Sequence, residues 1–216
     1  MNAVFRFYGM LNDFLPPERR AEEFVVHFSV PGSVKDMVEA AGAPHPEVEL
    51  ILANGVPVEF SYLVRDGDRV AVYPAFFSIS VPSLLRPSAD PAELRFVLDA
   101  HLGTLAGYLR MAGFDAAYRN DSRDDELAGI SSRQSRILLT RDRGLLKRTE
   151  VVYGYFVRNT EPRRQFPEVV RRYSLLPYVR PFLRCIRCNG LLRRTGKESV
   201  RSRIPEQTAS LFHEFT

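Results

Sequence analysis

The segment AVFRFYG near the amino terminus alternates apolar and polar positions, the period of a strand. EEFVVHFSV predicts a second strand, and Pro31-Gly32 then breaks the chain. SVKDMVEAAG changes to a helical period, with Val34, Met37, Val38 and Ala41 on one face. Ser33 and Asp36 stand in capping-box spacing, and Gly42 and Pro44 stop the helix. ELILANGVPVEF sets Asn54-Gly55 between apolar runs, a hairpin signal, and VRDGDRVAVYP adds a turn and a closing strand. The order β-β-α-β-β predicts a β-grasp domain over residues 1–80. Pro82, Pro87 and Pro91 then mark a semi-rigid linker over 81–93.

From Leu94 the rhythm changes. LRFVL, DAAYR, RILLT and VVYGYFV read as short apolar strands. HLGTLAGYLRMAG, DDELAGISSR, RDRGLLKR and PRRQFPEVVRRYSLL read as helices between and after them. Such alternation predicts an α/β domain with a parallel sheet over 94–180.

Composition is that of an ordinary globular chain of 216 residues, 45% hydrophobic and 26% charged. No apolar run reaches the roughly 18 residues of a membrane span, so no membrane partner is expected. The first residues lack a basic signal-peptide region, which with only two cysteines predicts a reducing, cytoplasmic setting. The net charge of +4 conceals an asymmetry. Ser131 to Pro205 carries 19 Lys/Arg against 5 Asp/Glu, leaving 11 against 21 elsewhere. An Arg-rich block of this kind suits a polyanion such as RNA.

Against that basic background stand carboxylates at strand ends. Asp99 directly follows RFVL, and Asp142 follows RILLT after Arg141. In a parallel sheet both would stand on the carboxyl edge, where ligands bind. Asp124 and Asp125 open the intervening helix, and Asp115 is read as ending the helix before them. Each has a simpler role open to it, as a helix cap for Asp99 and Asp142 or a complement to the helix dipole for Asp124. Gathered together, they would repel unless a hard cation such as Mg²⁺ or Mn²⁺ neutralised them. Adjacent positions point about 100° apart on a helix, so one of Asp124 and Asp125 faces the metal, and Asp124 is preferred.

Two resemblances join these readings. The first half resembles the ubiquitin-like sulfur-carrier proteins up to the closing DGDRVAVYP, but lacks their terminal diglycine, which points to docking or substrate handling. FVLDAHLGTLAGYLRMAGFD, DDEL, RILLTRDRGLL and FLRCIRCNGLL resemble the Mut-7 C-terminal ribonuclease domain, a PIN-like nuclease family. The resemblance implies metal-dependent RNA cleavage by Asp99, Asp124 and Asp142, with Asp115 and Asp125 as further acids. It also implies phosphate contacts from Arg110, Arg141 and Arg143. Cys185 and Cys188 match its zinc ligands, as a partial zinc ribbon over 181–216. A second Cys pair expected by that pattern does not follow in this chain, and His213 is open to two readings, a third ligand or, as is commoner for a lone His, ordinary surface.

Two further functions remain open on the residues alone. One is a non-catalytic RNA-binding module, its basic segment 158–203 offering Tyr173, Tyr178 and Phe182 for stacking. The other is an adaptor whose β-grasp half docks a protein partner.

Overall fold

The computed structural model describes residues 1–75, 85, 93–211 and 214–215. The predicted linker and His213 therefore fall outside the described residues, Leu85 and Glu93 excepted.

The first unit is a mixed sheet with a helix against it. Strands β1 (Asn2–Phe7), β2 (Glu23–His27), β3 (Val48–Ala53), β4 (Val56–Pro57) and β5 (Arg69–Pro74) lie in the order β2-β1-β5-β3-β4. β1 runs parallel to β5 and antiparallel to β2, the ubiquitin-like arrangement the order of elements predicts. Helix α1 (Val34–Ala41) begins where Ser33 Oγ accepts the Asp36 N–H at 3.1 Å. It buries Val34, Met37, Val38 and Ala41 against Phe5, Phe7 and Ile51 of the sheet. Asn54 (φ 53°) and Gly55 (φ 82°) turn β3 into β4, and these left-handed values explain the Asn-Gly pair. Between β1 and β2 the chain makes two short 3₁₀ turns, Gly9–Phe14 and Pro17–Arg19, which the strand periodicity does not announce.

The second unit is a parallel sheet of β6 (Arg95–Leu98), β7 (Asp115–Tyr118), β8 (Ile137–Thr140) and β9 (Gly154–Phe156), in the order β7-β6-β8-β9. Its strands are apolar on both sides because both faces are covered. Phe96, Leu98, Ile137 and Leu139 face α2 (Gly103–Met111) and α5 (Pro162–Arg172). Val97 and Leu138 face α3 (Asp124–Gln134) and α4 (Arg143–Leu146). Farther on, a short ribbon pairs Thr195–Gly196 with Glu214–Phe215. No helix among the described residues is long and apolar enough to cross a membrane.

The two units are joined by buried polar contacts. Glu47, whose side chain is fully buried, accepts the Phe156 N–H and pairs with Arg158 at 3.3 Å. Arg158 also pairs with Asp13 at 3.0 Å, from the unpredicted turn. His45 lies 2.6 Å from Glu39 and 2.7 Å from the Val151 carbonyl. Phe14 meets Phe156 edge-on at 5.5 Å, and Arg158 lies over the Phe14 ring.

Candidate active site

The parallel order decides where chemistry is placed. From β6 the chain turns to α2 on one face of the sheet, and from β8 it turns to α4 on the other. Diverging connections open a crevice at the carboxyl ends of the two adjacent strands. Asp99 and Asp142 flank that crevice.

Asp99 is 8% exposed, and its N–H continues the ladder to the Leu139 carbonyl at 3.0 Å. Its side chain makes no cap bond to the turn that follows. Instead its Oδ2 accepts the Thr140 hydroxyl at 2.6 Å. The same Thr140 oxygen accepts the Asp142 N–H at 2.9 Å. Thr140 is fully buried, so this one hydroxyl ties the two acidic positions together across the crevice. The signal for it in the sequence is a hydroxyl as the last residue of an otherwise apolar strand.

Asp142 does cap α4. Its Oδ1 accepts the N–H groups of Gly144 at 2.6 Å and Leu145 at 3.3 Å. A cap fixes the carboxylate's direction, and its second oxygen has no hydrogen-bond partner among the described residues. Asp124 stands at the start of α3, which follows the carboxyl end of β7 and so belongs to the same edge. It is exposed and makes no hydrogen bond or ion pair among the described residues. Its neighbour Asp125 is drawn to Arg123 at 3.3 Å. The carboxylate oxygens of Asp99, Asp142 and Asp124 are the donor type a hard cation takes. Among the described residues, however, no three His, Cys, Asp or Glu side chains stand close enough together to hold a metal ion.

Asp115 is not a member of that edge. It opens β7 rather than closing α2, and it pairs in register with Arg95 at the amino end of β6. There it meets Arg136 at 2.6 Å and Arg184 at 3.4 Å, and accepts the Asn189 side-chain N–H at 2.8 Å. Burial works to raise its pKa. The Arg136 and Asn189 hydrogen bonds and the Arg136 and Arg184 charges outweigh burial and hold the carboxyl below its ordinary value. A depressed folded pKa contributes stability that is fully present above the unfolded value of about 4 and is lost as pH falls through the folded one. Thermal midpoints of wild type and Asp115→Asn, followed against pH, are therefore expected to differ at neutral pH and to converge in acid.

The three arginines expected to meet phosphate are engaged inside the molecule. Arg110 is 5% exposed and donates to the carbonyls of Ala116, Ile186 and Arg187. Arg141 donates from Nη1 to the carbonyls of Val157, Arg158 and Asn159, clamping the loop after β9. Arg143 is exposed, yet it reaches the Asp13 and Phe14 carbonyls and lies over the Phe14 ring, so it ties α4 to the first unit. Arg163 is exposed in the first turn of α5, the helix that follows β9.

The Cys185–Cys188 loop is a knuckle at the amino edge. Cys185 N–H donates to the Gly190 carbonyl, Asn189 N–H to the Cys185 carbonyl, and Leu192 N–H to the Leu183 carbonyl. Hydrogen bonds from the backbone at Cys188 and Arg187 lower the Cys185 pKa. Among the described residues no further Cys or His completes a zinc set.

A family model described as Mut7-C RNAse domain matches residues 94–216, and one described as Mut7-C ubiquitin matches residues 1–80. Among solved structures, SAMP1 from Haloferax volcanii is similar at 13% identity and a TM-score of 0.27, over 35% of this chain and 97% of that one. A search of curated proteins finds no match.

Proposed function

This chain belongs to the Mut7-C RNAse domain family, and from that premise we propose that it hydrolyses RNA phosphodiester bonds with the help of a divalent cation. The observation that supports the reading most is the pair Asp99 and Asp142 on the two sides of the switch point, with Thr140 bound to both. We take the domain as PIN-like, with Asp99 and Asp142 holding Mg²⁺ or Mn²⁺ and Asp124 as the third acid. Such an ion supplies Lewis acidity toward the phosphoryl oxygen and a nucleophile at neutral pH. Asp99 and Asp142 bring negative charge into the crevice in fixed directions. The Thr140 hydroxyl holds Asp99 in its rotamer. Asp124, on the exposed helix start, is free to orient the attacking water. Arg163 offers charge to the scissile phosphate.

The first unit serves in this reading as a wall of the site. It contacts the chain immediately after Asp142, through Arg143 and the Asp13 and Phe14 carbonyls. It thereby handles substrate on one side and leaves the outer face of its sheet for a protein partner.

The test is cleavage of labelled single-stranded and structured RNA with and without added Mg²⁺ or Mn²⁺. Cleavage that requires the ion is expected. Binding without cleavage under every condition would instead favour the non-catalytic RNA-binding reading. Thr140→Val keeps the shape of the side chain and removes the hydroxyl. It is expected to weaken ion dependence or activity by about 10–100-fold, the scale for losing a group that orients a ligand, as read from an ion titration of the cleavage rate.

A further inference from the structure

The knuckle carries features that neither folding nor the acidic edge uses. Phe182 is 77% exposed and sits at φ 62°. A bulky residue in the left-handed region costs conformational energy, and an exposed side chain returns nothing for it. Ile186 (49% exposed) and Leu191 (63%) stand out from the same loop. Together with Met111 at the end of α2, Phe182, Ile186 and Leu192 line an open hollow of about 330 Å³.

The chain segment that forms the knuckle carries charge of one sign, and the Asp115 carboxylate meets it from β7 at Arg184. The stretch from Val169 to Lys197 contains eight Arg/Lys and no Asp or Glu. Arg180, Arg187, Arg193 and Arg194 are exposed and form no ion pair among the described residues. The platform is held rigidly. Arg110 grips it from α2 through the Ile186 and Arg187 carbonyls, and Arg184 and Asn189 grip it from the Asp115 end. The Arg180 N–H donates to the Ala112 carbonyl at 2.8 Å. Gly113, at φ 97°, permits that approach, since a Cβ there would lie 2.2 Å from the Arg180 oxygen.

We propose that this knuckle is an anchoring subsite for single-stranded RNA, in which an unpaired base stacks on Phe182 over the apolar hollow and Arg187, Arg193 and Arg194 take the flanking phosphates. An exposed aromatic within unpaired arginines is the chemistry that binds unstructured strands without regard to sequence. A duplex hides its bases and would meet the arginines alone. The subsite lies at the amino edge of the sheet, and α2 spans the distance from it to the crevice, about 13 Å for its nine residues. It therefore acts as a second hold on a strand, not as part of the cleavage chemistry. As a way of holding substrate it rests on the ribonuclease reading. As a binding surface it stands without it.

The experiment is binding of a labelled oligouridine and of an RNA duplex to the full chain, without added Mg²⁺ or Mn²⁺. Phe182→Ala is expected to weaken oligouridine binding about tenfold, the scale of one base–aromatic stack, with the thermal midpoint and duplex binding unchanged. Phe182→Trp should restore the affinity. The Arg187→Ala, Arg193→Ala double variant should flatten the slope of log K against log salt by about 1.4, two phosphate contacts at about 0.7 each. Oligouridine binding that ignores Phe182→Ala overturns the proposal, as does an equal loss for duplex and single strand. Displacement of oligouridine by polyglutamate at equal charge would also overturn it in favour of an acidic protein partner. Ion-dependent cleavage whose KM is indifferent to Phe182→Ala leaves the nuclease and removes the subsite. Phe182-dependent binding in a chain that never cleaves keeps the subsite and removes the nuclease.

Discussion

Asp99→Asn is expected to lower ion-dependent RNA cleavage about a thousandfold, the effect of losing several kcal/mol of charge stabilisation at the reacting phosphate. The substitution is chosen because it changes little else. Asp99 is buried at 8% exposure and receives the Thr140 hydroxyl on Oδ2. An Asn carbonyl oxygen accepts the same hydrogen bond, so Thr140 keeps its partner and the crevice its shape. Only the charge is lost. Asp142→Asn carries the same logic, since Asn caps a helix as well as Asp does and α4 keeps its first turn. The control is Asp115→Asn at the opposite edge of the sheet, expected to lower stability without this loss of rate. Cleavage rates under saturating RNA, with thermal midpoints measured alongside, separate the three variants. A wild-type rate in Asp99→Asn would remove the acid from the reaction and, with it, the reading of the crevice as an active site.

The contrast between Asp99 and Asp115 shows which kinds of information a linear pattern carries. Asp99 was legible because its position follows from one local fact, an apolar strand ending in a carboxylate, and one topological fact, that parallel strands share a carboxyl edge. Asp115 was grouped with the wrong acids because it was read as the end of α2, whereas as the first residue of the DAAYR strand it stands at the amino edge, opposite Asp99 and Asp142. A signal did exist. Arg136 stands immediately before β8, at the amino edge, and an Asp opening a neighbouring strand is its natural partner. The internal partners of the three arginines were hidden for another reason. Arg110, Arg141 and Arg143 lie in the motif segments, but what each grips is far along the chain: Ile186, Val157 and Phe14 carbonyls. Nothing at short range distinguishes an arginine that binds phosphate from one that satisfies carbonyls. Strand and helix positions were readable for the opposite reason, since burial on both faces of the second sheet and on one stripe of α1 writes itself into each segment alone. The 3₁₀ turns of Gly9–Phe14 and Pro17–Arg19 have no such period, and the first of them supplies Asp13 and Phe14 to the join between the units.

That join yields the second large effect. Arg158→Met is expected to destabilise the chain by about 3 kcal/mol, the low end of what breaking a buried ion pair costs. The reason is the partner left behind. The Glu47 side chain is fully buried, and with Arg158 gone the Phe156 N–H alone among the described residues would remain to compensate its charge. Arg158 itself is 20% exposed at the side chain and holds Asp13 on its outer side, which places the cost toward the lower bound. Burial works against the Arg158 charge, yet Glu47, Tyr155 and Asp13 more than offset it and raise its pKa. For a chain of this size the loss corresponds to a fall in thermal midpoint of roughly 6–12 °C. Glu47→Gln removes the charge while keeping an acceptor for Phe156, so in the double variant with Arg158→Met no buried charge is stranded. The double variant is expected to recover most of the loss, giving a coupling energy within the roughly 0.5–3 kcal/mol seen for residues in one network. Urea unfolding of the four chains in that cycle measures it. Additive losses would mean that the pair contributes nothing beyond its separate packing, and that the units are held together by Phe14, Phe156 and His45 instead.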